Sequence, residues 1–231
     1  MAQAEFDSVA RSYYELHKQN IEISGEAPEY FAEYKIRDLA RVLGPKSRSS
    51  LSILDFGSGI GNSIPHLRSY FPAASLTCTD VSSVSHDVAQ ERFPGGKEQF
   101  LLIEDDRIPV PDASQDVVFS ACVFHHIDAG MHADWLAELR RITRPGGLLA
   151  IYEHNPLNPL TVRVFNDCPF DQDAHMIRAG ALKRACAAAG WLHPSIRYRL
   201  FFPRAFAAFR PLERGLGWLF LGAQYLVLAE R

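Results

Sequence analysis

Short apolar runs recur along the chain, each stopped by glycine, proline or an acid. Between them apolar residues return at the three- and four-residue spacing of helices. The runs predict strands over 52–56, 75–79, 99–103, 116–123, 148–153, 195–202 and 224–230. The helical spacing predicts helices over 5–20, 29–43, a segment opening at Asn62, one starting near Ser82, 134–143 and 173–189. On 134–143, Trp135, Leu136, Leu139 and Ile142 share one face. A further Phe-, Arg- and Pro-rich stretch, 203–217, predicts a short helical insert whose basic amphipathic character suits a cap over the substrate side or contact with a membrane surface or partner. Strands alternating with helices indicate an α/β fold with a largely parallel sheet.

The first strand runs into the one stretch where every second residue is glycine, Leu-Ser-Ile-Leu-Asp-Phe-Gly-Ser-Gly-Ile-Gly over 51–61. Gly57, Gly59 and Gly61 allow positive φ and close approach to a ligand, and the following helix would aim free N–H groups at it. A dinucleotide fingerprint needs G-x-G-x-x-G, but Asn62 stands where its third glycine belongs. Asp55, just before the glycines, offers a carboxylate to a cationic amine. Asp80 lies 19 positions beyond Gly61, near the offset of about 20 at which a carboxylate takes two ribose hydroxyls. Its alternative use is to cap the helix near Ser82.

Asp-x-Gly-x-Gly-x-Gly resembles the first motif of class I S-adenosylmethionine-dependent methyltransferases. Arg-Ile-Thr-Arg-Pro-Gly-Gly before the fifth strand resembles another recurring signature of that family. The resemblance covers residues 50–155, with the flanks matched by topology. It implies a Rossmann-like, seven-stranded, mostly parallel sheet whose last strand is antiparallel and inserted between strands five and six. It further implies that residues 1–45 form a helical lid, with Tyr13, Tyr14 and His17 as pocket candidates, and that 46–231 form one cofactor-binding domain. Cofactor contacts are expected from Asp55, Gly57, Gly59, Asp80 and Ala121. An acid after strand three, Glu104 with Asp105 as alternative, is expected on the adenine amino group, although three adjacent acids also suit a solvated turn. The stretch through Asn166, Asp167, Cys168, Pro169 and Phe170 resembles a bacterial small-molecule subgroup.

Histidines mark the candidate chemistry. His125 follows strand four and His154 follows strand five, where an imidazole could take a proton from a methyl acceptor. Glu153 could orient or deprotonate the acceptor too, or these groups could simply hold the loop together. Zinc is not expected: His125 and His126 are adjacent, so their side chains should point apart, and no H-x-x-x-H or thiolate spacing accompanies them. The loop 153–159 is a candidate for substrate recognition.

Composition narrows the partners. The 231 residues are 47% apolar and 22% charged, with a net charge of -3, which suits one globular α/β unit and argues against nucleic acid as substrate. Cys78, Cys122, Cys168 and Cys186 show no paired spacing and are expected to be reduced thiols. The first residues are polar where a secretory leader needs an apolar run, and no run approaches the roughly 18 apolar residues of a membrane span. The expectation is a cytoplasmic enzyme, open to homodimerisation, that moves a methyl group from S-adenosylmethionine to oxygen or nitrogen of a small molecule. The competing readings are a noncatalytic binder of the same cofactor and an NAD-type oxidoreductase.

Overall fold

A computed structural model describes residue 7 and residues 10–168 and 174–231. Helices α1 (Tyr13–Asn20) and α2 (Pro28–Leu43) precede β1 (Ser52–Phe56). Then come α3 (Ile64–Tyr70), β2 (Ser75–Asp80), α4 (Ser83–Arg92), β3 (Gln99–Leu102) and β4 (Gln115–Ala121). Next are α5 (His132–Ile142), β5 (Thr143–His154), α6 (Pro159–Asn166), α7 (Ala179–Ala188), β6 (Leu192–Arg199) and β7 (Gln224–Glu230). A 3₁₀ segment, Arg204–Gly215, links β6 to β7.

The seven strands form one sheet in the order β3-β2-β1-β4-β5-β7-β6. β1 to β5 pair in parallel, and β7 lies antiparallel between β5 and β6. The two-residue period of a strand divides the core between its faces. Leu54, Val118 and Val227 pack with Trp135 and Leu139 of α5 and Leu182 of α7. Ile53, Val117 and Leu226 pack on the other side with Ile36 and Leu39 of α2 and Leu67 of α3. The order reverses at β1, which has β2 on one side and β4 on the other. Crossovers therefore leave in opposite directions and open a crevice at the carboxyl ends of these strands.

Element ends depart from expectation for local reasons. β4 stops at Ala121 rather than 123, because Cys122 takes a φ of 59° and its N–H donates to Tyr152 O at 2.8 Å. β5 starts at Thr143 rather than 148: the Arg144–Gly147 turn lies within the strand as a bulge between the Gln115–Thr143 and Val117–Leu148 pairs. β6 is shifted toward the N-terminus and ends at Arg199, with Leu200 at a φ of 62°. The periodicity missed α6. Its start is set by Asn158, whose Oδ1 accepts from Thr161 N–H at 3.0 Å, and by Pro159 at the first helical position. α7 begins at Ala179 instead of 173, and 173 itself lies outside the described residues, as do 5, 6, 8 and 9 of the first predicted helix. That helix is described over Tyr13–Asn20.

A buried polar cluster ties α2 to the far edge of the sheet. Asp38 Oδ2 accepts from Arg199 Nε at 2.7 Å and from Tyr152 Oη at 3.1 Å. Removing one member strands the other charge in a dry site, which costs about 3–5 kcal/mol. Asp38→Ala should therefore lower the unfolding free energy by about 3 kcal/mol in urea titration, and Asp38→Leu with Arg199→Met should recover much of it.

Candidate functional site

The crevice deepens into a cavity of about 300 Å³, walled by the ends of β1, β2 and β4, by α6 and by the N-terminal helices. At its floor the β1 turn behaves as its glycines require. Gly57 has a φ of 72° and lies against Val123, leaving no room for a Cβ. Gly59, at a φ of 51°, has nothing within 4 Å of where a Cβ would stand, so its backbone faces open space. Asp80 holds this loop in shape: Oδ2 accepts from Gly59 N–H at 2.8 Å and Oδ1 from Ser82 N–H at 3.0 Å. The cap of α4 is Ser82 rather than Asp80, since Ser82 Oγ accepts from Ser85 N–H. Asp80 keeps lone pairs for further donors at the cavity wall. Burial pushes its pKa up, against the pull of the Ser82 and Gly59 N–H groups.

Asp55 stands beside that loop, 3% exposed, with Oδ2 buried and without a hydrogen-bond partner. Burial, and then the charge of Asp80, push its pKa up to about 7. A buried carboxylate oxygen with no donor is costly, and on a cavity wall it calls for a ligand cation. Asp55, Gly57, Gly59, Asp80 and Ala121 all line this one cavity. Glu104 and Asp105 do not. Both are exposed in the tight turn after β3, where Asp105 has a φ of 51°, and the cavity wall does not include them.

Another part of the cavity wall is aromatic and rich in imidazole, with His125, His126, His154 and Phe165. Glu153, 1% exposed, lies at the end of β5 and accepts from Val123 N–H at 3.0 Å and Phe124 N–H at 2.8 Å through Oε1. Its Oε2 is 2.7 Å from His125 Nδ1. Burial pushes the Glu153 carboxyl up, but the charge and hydrogen bond of His125, then His154 and the Phe124 N–H, bring it below the ordinary range. With Nδ1–H donated to the carboxylate, the lone pair of His125 sits on Nε2. The His125 carbonyl accepts from His175 N–H at 2.9 Å, fixing the ring's base.

The adjacent imidazoles do not point apart. The 3₁₀ turn Phe124–His126 brings the His125 and His126 rings to 4.2 Å between centroids, with His154 at 5.2 Å and Phe165 at 5.5 Å from His125. Even so, no cluster of three metal-ligating side chains occurs among the described residues. Tyr13 and His17 line the cavity; Tyr14 turns away to donate to Glu29 at 2.7 Å. Most polar side chains of the 153–159 loop are spent on backbone. Asn155 Nδ2 donates to Phe220 O and Gly222 O, and Asn158 Nδ2 to Leu221 O. Sequence reasoning missed Thr161 and Phe165 as cavity residues because α6 itself was not foreseen.

Comparison with known proteins agrees with this geometry. Residues 54–151 match the family described as a methyltransferase domain. A malonyl-[acyl-carrier protein] O-methyltransferase of Hahella chejuensis is 34% identical over 97 residues, covering 42% of this chain and 34% of that one. The solved structure of a Thermotoga maritima S-adenosylmethionine-dependent methyltransferase, a possible histamine N-methyltransferase, superposes with a TM-score of 0.68 at 14% identity, covering 100% and 99% of the two chains. Haemonchus contortus phosphoethanolamine N-methyltransferase 2, solved with S-adenosyl-L-methionine, gives a TM-score of 0.61 at 15% identity, covering 86% of this chain and 52% of that one. Residues 54–151 are thus similar to a methyltransferase domain, and the chain has the fold of solved S-adenosylmethionine-dependent methyltransferases. It spans from about a third to just over half of the length of the curated relatives it matches. No described helix is long and apolar enough to cross a membrane.

The residues present fit S-adenosylmethionine, the cofactor of those similar methyltransferases, because the partnerless oxygen of Asp55 and the open backbone above Gly59 suit a ligand that carries an ammonium group. The sign of the pH effect follows from Asp55. Its pKa is about 7 when folded and about 3.9 when unfolded, so the folded chain binds the extra proton between these values and stability falls as pH rises through that window. Asp55→Asn should remove that fall, giving a higher melting temperature than the parent at pH 8. It should also weaken S-adenosylmethionine binding at least tenfold by calorimetry.

Proposed function

We propose that the protein transfers the methyl group of S-adenosylmethionine to oxygen or nitrogen of a small-molecule acceptor, by in-line displacement, in the cytoplasm. The cofactor supplies a methyl group already activated on a sulfonium. Asp55 would hold its ammonium, the Gly57–Gly59 backbone its amino-acid portion and Asp80 its ribose hydroxyls, with Ala121 on the wall beside them. α1 and the turn that follows it act as a lid, since Tyr13, His17, Ile21 and Ile23 all line the cavity. The chain's own contribution is alignment and exclusion of water, which accounts for about 7–11 kcal/mol of barrier lowering in well-oriented reactions.

The observation that carries the acceptor chemistry is the buried His125–Glu153 pair, of which His125 lines the same cavity as Asp55. A hydroxyl or protonated amine must lose a proton as the new bond forms. His125 Nε2 takes it, and the Glu153 carboxylate stabilises the imidazolium that results. His154, 5.2 Å away, packs against His125 and helps to shape the acceptor end. The relatives' names include both an O-methyltransferase and an N-methyltransferase, in keeping with a base that serves either acceptor.

The acceptor can be sought by incubating cell extract with purified protein and isotopically labelled S-adenosylmethionine, then following the label into metabolites. No labelled product above the level given by Asp55→Asn would refute the methyl-transfer reading. With an acceptor in hand, His125→Gln should slow single-turnover methyl transfer by about 10²–10³-fold while S-adenosylmethionine still binds. Glu153→Gln should retain part of the rate and move the acid limb of the pH profile to lower pH, because an imidazolium without its carboxylate deprotonates more easily. Unchanged rates in both His125→Gln and His154→Gln would end the role of a histidine base.

A further inference from the structure

Ten large apolar side chains are exposed among the described residues, and six of them fall between 206 and 221: Phe206, Phe209, Leu212, Trp218, Phe220 and Leu221. Hydrogen bonds gather the neighbouring segments around this stretch. Asn155 and Asn158 bind the carbonyls of Phe220 and Leu221, which brings exposed Leu157 and Leu160 alongside. Arg204 Nη1 donates to Gly25 O at 3.3 Å, which brings up the turn carrying exposed Ile23. Ile23, Leu160, Phe202 and Pro203 also line the cavity, so the apolar rim lies at its mouth. Surface apolar residues scattered singly need no explanation, but a gathered rim does.

Charge accompanies the apolar residues. In a chain with a net charge of -3, the stretch 200–222 holds three arginines and one acid. That acid, Glu213, is buried and accepts from Phe201 N–H, Phe202 N–H and Tyr34 Oη. Arg210 is paired with Glu26, leaving Arg204 and Arg214 exposed beside the aromatic residues. Of the acids flanking the rim, Asp167 lies 3.9 Å from Arg163, and Glu22 stands exposed on the turn after α1.

We infer that this rim docks the protein on an anionic lipid surface, Phe206, Phe209 and Trp218 entering the headgroup boundary while Arg204 and Arg214 meet lipid phosphates. Aromatic and aliphatic side chains bordered by arginine are what a bilayer interface accommodates: apolar area is buried and each cation adds attraction. The docked orientation sets the cavity mouth against the bilayer. This inference stands apart from methyl transfer and needs no acceptor to be known.

Trp218 is 75% exposed, whereas Trp135 and Trp191 are 2% exposed, so a change in tryptophan emission on docking reports Trp218. The full chain should co-sediment with vesicles of phosphatidylglycerol and phosphatidylcholine, with a blue-shifted emission, and far less with phosphatidylcholine alone. Added salt should weaken the association. Trp218→Ser, and separately Arg204→Glu with Arg214→Glu, should each lower partitioning about tenfold at an unchanged melting temperature. No partitioning onto either vesicle, or partitioning that both variants leave intact, overturns the inference. So does a concentration-dependent dimer that Trp218→Ser dissociates in a protein that ignores vesicles, or binding only to an acidic carrier protein; the rim then has a protein occupant. Calorimetry with S-adenosylmethionine on the same preparations keeps the two readings apart: loss of cofactor binding refutes methyl transfer alone, and loss of vesicle binding refutes docking alone.

Discussion

A carboxylate taken out of water persists as a charge only when donors replace the water it has lost. Glu153 meets that demand with the Val123 and Phe124 N–H groups and the His125 ring. Because Glu153 belongs to β5, between β4 and β7, the loop leaving β4 is fastened to the middle of the sheet. The same contact sets which nitrogen of His125 carries its proton. Loop shape and candidate base chemistry are one interaction here, and neither could change without the other.

Asp55, in the cavity wall, is the counterpart of Glu153. It is as dry as Glu153, yet one of its oxygens has no donor. The two groups accordingly move in opposite directions, Asp55 up to about 7 and Glu153 below the ordinary range. The fold satisfies one buried carboxylate with its own backbone and leaves an oxygen of the other without a donor. That contrast separates a carboxylate already satisfied from one in the cavity wall that still has an oxygen to offer, the kind of perturbed group that marks candidate sites.

The cavity mouth follows the same logic of polar groups spent inward. Asn155, Asn158 and Thr161 use their side chains on the carbonyls of 220–223, and Glu213 uses its carboxylate on the 201–202 backbone. These irregular segments are thereby satisfied without a regular ladder. What remains for the outer surface is apolar or cationic, and the rim acquires its character as a consequence.

The amino-acid sequence by itself determined the alternation of strands and helices, the glycine turn after β1, the buried face of α5 and the distance from Gly61 to Asp80. Each depends on residues close in the chain, where steric and periodic rules act directly. Tertiary structure alone decided that β4 ends at Ala121 and β5 begins at Thr143, that Pro159 opens a helix, and that the His125 and His126 rings approach each other. It also decided that Glu153 is His125's partner and that Glu104 and Asp105 stay outside the cavity. His125 and Glu153 are 28 residues apart, and only the parallel register of β4 on β5, with Ala121 opposite Tyr152, brings their side chains to one point. Register is a property of paired strands, and no single strand's sequence contains it.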